Sequence, residues 1–227
     1  RVAALGWRAR GSVAVLIGTT ATPVDLDSLR RNARKQNADV LLGVHGNRLI
    51  AVLGHLDSNG AGAPEAPSLI RLAESLKDEF GPGPLVLGPE VASVAEAHRS
   101  AKGALAGFSV VRAWSKAPRP IAADDLLAER ALAGDMLAKA TLVNRVYRPL
   151  AQNAPDLLET LATYLETGRS LELTARQLFV HANTVRYRLK RVSEIIGWDV
   201  SLARDAFVLQ VALVLGVMGD TENRRRR

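Results

Sequence analysis

The 227-residue chain contains no cysteine. Disulfides, thiolate metal sites and cysteine nucleophiles are therefore excluded, and the composition suits a reducing cytosol. No stretch approaches the roughly 20 apolar residues of a membrane span. The opening residues, Arg1-Val-Ala-Ala-Leu-Gly-Trp7, carry no long apolar segment of the kind a secretory leader places behind its charge. A cytoplasmic protein with no membrane partner is expected. The chain starts without methionine and almost directly before a strand-like segment, so it reads as a piece of a longer protein.

Several chemical motifs are missing as well. The histidines His45, His55, His98 and His181 share no i, i+4 ligand spacing, so no metal and no cofactor is expected. Gly81-Pro82-Gly83-Pro84 is not followed by the lysine-serine or lysine-threonine pair of a phosphate-cradling loop, and reads as a turn. Asp124 and Asp125 are adjacent, which on a helix turns them about 100 degrees apart. They suit a helix start better than a catalytic carboxylate pair.

What is present is globular in character: 48% hydrophobic and 23% charged residues exclude disorder and fibrous architecture for most of the length. The chain is long enough for one large domain or two ordinary ones. Thirty basic against 23 acidic side chains give a formal charge of +7, which favours polyanionic partners. Part of that excess is the terminal run Arg224 to Arg227, which reads as a solvated tail.

The first half alternates between strand and helix signals. Residues 12–18 (SVAVLIG) form a short apolar run that reads as a buried strand, and residues 25–37 show helical spacing through Leu26, Leu29 and Ala33. Residues 40–45 and 48–53 flank Gly46-Asn47, which predicts a tight hairpin. A loop follows over 57–67, a helix over 67–80 ended by the Gly-Pro repeat, a strand at 85–87, a helix at 91–105 and a last strand at 108–112. The order β-α-β-β-α-β-α-β implies an α+β domain with a mixed sheet and helices on one or both faces. Beyond Ala117-Pro118-Arg119-Pro120 no strand is expected, and helices are expected at 124–133 and 135–147. The expected organisation is a domain at 1–116, a helical connector at 117–152, an all-α domain at 153–218 and an unstructured basic tail at 219–227.

The all-α part carries the function. Leu157, Leu158, Leu161, Tyr164 and Leu165 have helical spacing between Pro155 and Gly168, and a shorter helix is expected at 171–179. Val180-His181-Ala182 then leaves room only for a tight turn before a third helix, capped by Asn183 or Thr184 and closed by Gly197. Two short helices joined by such a turn make a helix-turn-helix, whose second helix lies in the DNA major groove. On that helix Val185, Leu189, Val192 and Ile196 form one apolar stripe. Asn183, Tyr187 and Lys190 point away from it, and Thr184, Arg186, Arg188 and Arg191 lie on the flanks. Four bases and no acid stand between Asn183 and Val192, a pattern suited to phosphates and base edges. A merely solvated helix face normally mixes acids with its bases. Replacing Arg186 and Arg188 with alanine is expected to weaken binding without unfolding the helices.

The run TARQLFVHANTVRYRLKRVSEIIG, with LLETLATYLETGRSL before it, resembles the C-terminal helix-turn-helix of PucR- and CdaR-type bacterial transcriptional regulators. His181, Asn183, Thr184, Val185, Tyr187, Arg188 and Leu189 carry the likeness. The resemblance implies double-stranded DNA as partner, promoters of metabolic genes as targets, and a homodimer or higher homo-oligomer. The candidate DNA-binding residues are Thr174, His181, Asn183, Thr184, Arg186, Tyr187, Arg188, Lys190 and Arg191. Such regulators often carry ahead of this domain a module similar to the GGDEF domain of diguanylate cyclases. Here the corresponding hairpin reads Val44-His45-Gly46-Asn47-Arg48-Leu49. It has no carboxylate to hold the metals of phosphoryl chemistry, so a degenerate, non-catalytic module is expected. Two other readings stand beside this one: a nucleotide-binding or nucleotide-processing enzyme acting through residues 1–115, and a sensory module that binds a small-molecule effector.

Overall fold

The structure, a computed structural model, describes residues 6–56 and 68–225. The expected loop at 57–67 and the last two arginines of the basic tail lie outside the described residues. The chain divides into two compact units, Arg1–Glu129 and Arg130–Arg227.

The first unit is built on a five-stranded mixed sheet in the order β2-β3-β1-β4-β5. Its strands are β1 (Val13–Thr20), β2 (Ala38–His45), β3 (Arg48–His55), β4 (Phe80–Leu87) and β5 (Ile121–Ala122). β1 pairs antiparallel with β3 and β4, β2 antiparallel with β3, and β5 parallel with β4. The hairpin between β2 and β3 sits where the sequence predicts it. His45 pairs with Arg48, and Gly46 takes the left-handed φ of 58° that a two-residue turn requires.

Alternation along β1 divides the core between the two sheet faces. Ala14 and Leu16 point to one face, packed with Leu29 and Ala33 of α1 (Leu26–Lys35) and with Leu69, Leu72 and Ala73 of α2 (Leu69–Ser75). Val15 and Ile17 point to the other, under Ala104 of α3 (Ala97–Val110). Each large aliphatic side chain fully buried here contributes about 1.5–3 kcal/mol by leaving water.

Two expected elements are corrected. The 108–112 segment is not a strand: α3 runs to Val110 and a 3₁₀ turn covers Val111–Ala113. The inward stripe of α3 is Ser100, Gly103, Ala104 and Gly107, small residues that bring the helix close to the sheet. A Cβ on Gly107 would lie 2.9 Å from Val86, and the Ser100 hydroxyl accepts the Val15 N–H at 2.8 Å. The second correction concerns Gly81-Pro82-Gly83-Pro84, which lies inside β4 and not at a helix end. Register slips between Gly18 and Thr20 of β1, and the bulge on β4 absorbs two prolines that cannot donate to the ladder. At Gly81 a Cβ would fall 2.3 Å from the Thr20 carbonyl oxygen, so only glycine fits.

The stretch around Pro118 is also more than a connector. Arg119 donates through Nε to the Gly83 carbonyl and through Nη2 to those of Gly81 and Lys77, at 2.9, 2.9 and 3.1 Å. β5 follows at once, although no strand is expected there. A 3₁₀ turn (Ala123–Leu126) then leads into α4 (Leu127–Leu132), which carries the chain past Glu129.

The second unit is helical. α5 (Met136–Leu142) begins at Asp135, whose side chain caps it, and continues through a π turn (Val143–Tyr147) into α6 (Arg148–Asn153). Pro149 has no N–H to return to the preceding turn, and the wider π geometry directly before it accommodates that loss. α7 (Pro155–Glu166), α8 (Leu171–Gln177), α9 (Ala182–Ile196) and α10 (Ala203–Arg225) complete the unit. α10 continues to Arg225, into the segment expected to be an unstructured tail. Tyr147 explains part of this extension: its ring lies against Gly216, and its hydroxyl donates to Asp220 at 2.7 Å. Among the described residues no helix is long and apolar enough to cross a membrane.

Candidate nucleic-acid interface

α8 and α9 are joined by four residues, 178–181, and packed against α7. Ser170 caps α8 by accepting the Leu173 N–H at 3.3 Å. The cap of α9 is His181, not Asn183 or Thr184: its Nδ1 accepts the Asn183 N–H at 3.1 Å. A helix after a tight turn must satisfy its first N–H groups locally, and the imidazole of the residue directly before the helix supplies one acceptor. Gly197 closes α9 with a φ of 77°.

The apolar stripe of α9 faces inward as expected, with Val185, Leu189, Val192 and Ile196 all buried. That orientation decides where the polar residues go. Asn183, Tyr187 and Lys190 are exposed on the opposite side with Arg186 exposed beside them on one flank, and Thr184 is half-buried on the other. Arg186 donates to the Asn183 side chain, so the two form one polar cluster at the leading end of the helix. Arg191 is exposed and paired with Glu194, which follows it by three residues.

Two expected contacts behave differently. Arg188 turns sideways and donates to Thr160 on α7 at 3.2 Å, with Asp156 at 3.8 Å. Thr174 is fully buried, its hydroxyl donating to the Ser170 carbonyl at 2.7 Å and lying 2.8 Å from that of Thr167. The structure therefore brings Asn183, Arg186, Tyr187 and Lys190 to one surface, uses His181 as a cap and Arg188 as a tie, and withholds Thr174.

One exposed residue has no counterpart among those expected. Phe179, at the end of α8, adopts a φ of 55° and is 95% exposed. Beside α9, an open groove of about 560 Å³ is lined by Arg186, Lys190, Tyr164 and Trp198. At its rim Asp199 accepts hydrogen bonds from the Ser201 hydroxyl and N–H at 2.6 and 2.9 Å, which hold its carboxyl below the usual carboxylate range.

In the first unit, the hairpin at 45–48 carries no acidic side chain, and Arg48 stacks over Phe108 at 5.1 Å. No group of three or more potential metal ligands comes together among the described residues.

Comparison with known proteins matches residues 157–215 to the PucR C-terminal helix-turn-helix domain and residues 1–110 to the GGDEF-like domain. The fold is similar to the crystal structure of a regulator of polyketide synthase expression from Bifidobacterium adolescentis. That likeness has a TM-score of 0.76 and 36% identity over 96% of this chain and 85% of that one. An uncharacterised protein of Mycobacterium tuberculosis is 41% identical over 95% of the chain, which spans about half, 53%, of that relative's length. The carbohydrate diacid regulator of Escherichia coli is 39% identical over 77 residues, 32% of this chain and 20% of that protein.

Proposed function

Because the chain belongs to the family of PucR- and CdaR-type regulators, with a GGDEF-like domain ahead of the PucR helix-turn-helix domain, we propose that it is a sequence-specific transcriptional regulator that inserts α9 into the major groove of duplex DNA. The observation that carries this reading is the orientation of α9. Its apolar stripe is buried, and Asn183, Arg186, Tyr187 and Lys190 are left on one exposed face. Asn183 and Arg186 have the side chains that pair bidentately with adenine and guanine edges, and Lys190 suits a phosphate. Thr184 and Arg191 border that face and are assigned to the backbone of the duplex. His181 and Arg188 set the position of the helix.

The GGDEF-like domain acts in this reading as a non-catalytic partner, structural or sensory, with a small-molecule effector as its ligand. The absence of a carboxylate on the hairpin supports that assignment. A homodimer in the cytoplasm, reading two half-sites, fits the family's mode of recognition.

The test is selection of bound duplexes from a random pool, followed by a salt titration of the enriched sequence. Enrichment of a paired half-site, with affinity falling steeply as salt rises, is the expected result. Failure to enrich any sequence overturns the reading. Incubation of the same protein with GTP and magnesium should yield no cyclic dinucleotide, and a product would revive the enzyme alternative.

A further inference from the structure

The turn between α8 and α9 holds a residue that its own fold does not reward. α7 is followed by Gly168 and α9 by Gly197, both with positive φ, 67° and 77°. α8 ends in the same manner, with the Val180 N–H donating to the Ala175 carbonyl at 3.0 Å and the Phe179 N–H to that of Arg176 at 3.4 Å. That pattern places residue 179 at the position where glycine is favoured, because a Cβ crowds the left-handed backbone. Phenylalanine stands there at a φ of 55° with its ring 95% exposed. The chain thus tolerates an unfavourable backbone and recovers nothing by burying the ring.

The ring's position suggests what does. Phe179 lies two residues before the His181 cap, next to the end of α9 that presents Asn183, Arg186 and Tyr187. A phenyl group neither donates nor accepts a conventional hydrogen bond, so it can serve neither a phosphate nor a polar base edge. The apolar feature that duplex DNA offers in the major groove is the thymine 5-methyl group. We infer that Phe179 is a DNA-contacting residue whose ring packs against a thymine methyl at the edge of the site read by α9. This rests on the proposed placement of α9 in the groove.

The experiment compares the full chain with Phe179→Gly and Phe179→Leu on a duplex enriched by the wild-type protein, and on versions with uracil replacing one thymine at a time. Phe179→Gly should raise the melting temperature, since it relieves the backbone. It should weaken binding by about tenfold, the scale of one lost aromatic burial. The slope of affinity against salt should stay the same, because no phosphate contact is removed. Phe179→Leu should recover part of the affinity. At one or two positions uracil should weaken the wild type several-fold and leave Phe179→Gly unaffected. Unchanged affinity of Phe179→Gly, or uracil effects equal in both proteins, overturns the inference while leaving the α9 reading in place. If the wild type enriches no duplex, the α9 reading fails and the assignment of Phe179 fails with it.

Discussion

Arg188 donates to the hydroxyl of Thr160 at 3.2 Å and so ties the outer helix α9 to α7. Thr160 is fully buried and its hydroxyl donates a hydrogen bond to the Asp156 carbonyl at 2.7 Å, which leaves the oxygen's lone pairs for the guanidinium. Arg186, two positions earlier, donates instead to its neighbour Asn183.

The two arginines should therefore separate under mutation. Arg188→Ala is expected to lower stability by about 1.5 kcal/mol, the scale of a hydrogen bond to a charged donor, and to weaken DNA binding as well. Arg186→Ala should weaken binding by about 1–3 kcal/mol and leave stability within about 0.5 kcal/mol of the wild type. Urea denaturation beside a DNA titration checks both. Equal stability of the two variants would remove the tie to α7 from the account.

His181 as the cap of α9 carries a second expectation. His181→Ala should cost about 1 kcal/mol of unfolding free energy, and His181→Asp or His181→Ser should restore most of it, because each returns an acceptor for the Asn183 N–H. Thermal melting of the three variants is the measurement. An alanine variant as stable as the wild type would mean that the cap contributes nothing.

The pair Arg130 and Asp135 gives a pH dependence. Arg130 is 3% exposed and meets the Asp135 carboxylate at 2.9 Å, while Asp135 also accepts the Leu137 and Ala138 N–H groups. Burial pushes this carboxyl up. The hydrogen bond from Arg130, those from the helix N–H groups and the guanidinium charge outweigh that push and hold it below the usual carboxylate range. A carboxyl depressed in the folded state adds stability that is complete above about pH 4 and is lost as pH falls through its folded value. Asp135→Ala should cost about 1–2 kcal/mol at pH 7, since it removes both the ion pair to Arg130 and the cap of α5. The gap to the wild type should narrow in denaturation curves taken below pH 3. A gap independent of pH would rule out the ionised pair as its source.

Glycine substitutions in the second unit should rank by what surrounds them. A Cβ at Gly197 meets nothing within 4 Å, so Gly197→Ala is penalised only by its φ of 77°, about 1 kcal/mol. A Cβ at Gly216 would lie 2.1 Å from the Tyr147 ring. Gly216→Ala should cost more, about 2–3 kcal/mol, as the ring is forced off α10. Melting temperatures in the reverse order would show that α10 yields more easily than the packing implies.

The sequence was legible where one residue type answers to one physical demand. Gly46-Asn47 between two apolar runs could only be a tight turn, and the spacing of Val185, Leu189, Val192 and Ile196 by itself orients α9. It was illegible where the pattern depends on small residues or on tertiary partners. The buried stripe of α3 is Ser100, Gly103, Ala104 and Gly107, which no hydrophobic periodicity reveals, while the apolar run from Phe108 imitates a strand. β5 is two residues long, too short for any alternation to register. Thr174 looked like a polar surface group because its neighbours Ser170 and Thr167, which bury its hydroxyl, lie on the preceding turns of chain. Phe179 was missed because a positive φ at a non-glycine residue leaves no trace in composition.

The short ladder between β4 and β5 also has a mechanical meaning. It consists of Val86 beside Ile121 and Leu87 beside Ala122, and it is the last piece of sheet before the chain passes Glu129. Just past it Ala123 and Leu126 are fully buried beside Val86 and Ile121. Just before it Arg119 is anchored to four carbonyls around the Gly-Pro bulge. The strand is thus riveted at three successive points, the Arg119 guanidinium, the ladder itself and the buried Ala123 and Leu126, so that a seam this short does not have to hold the edge of the sheet alone.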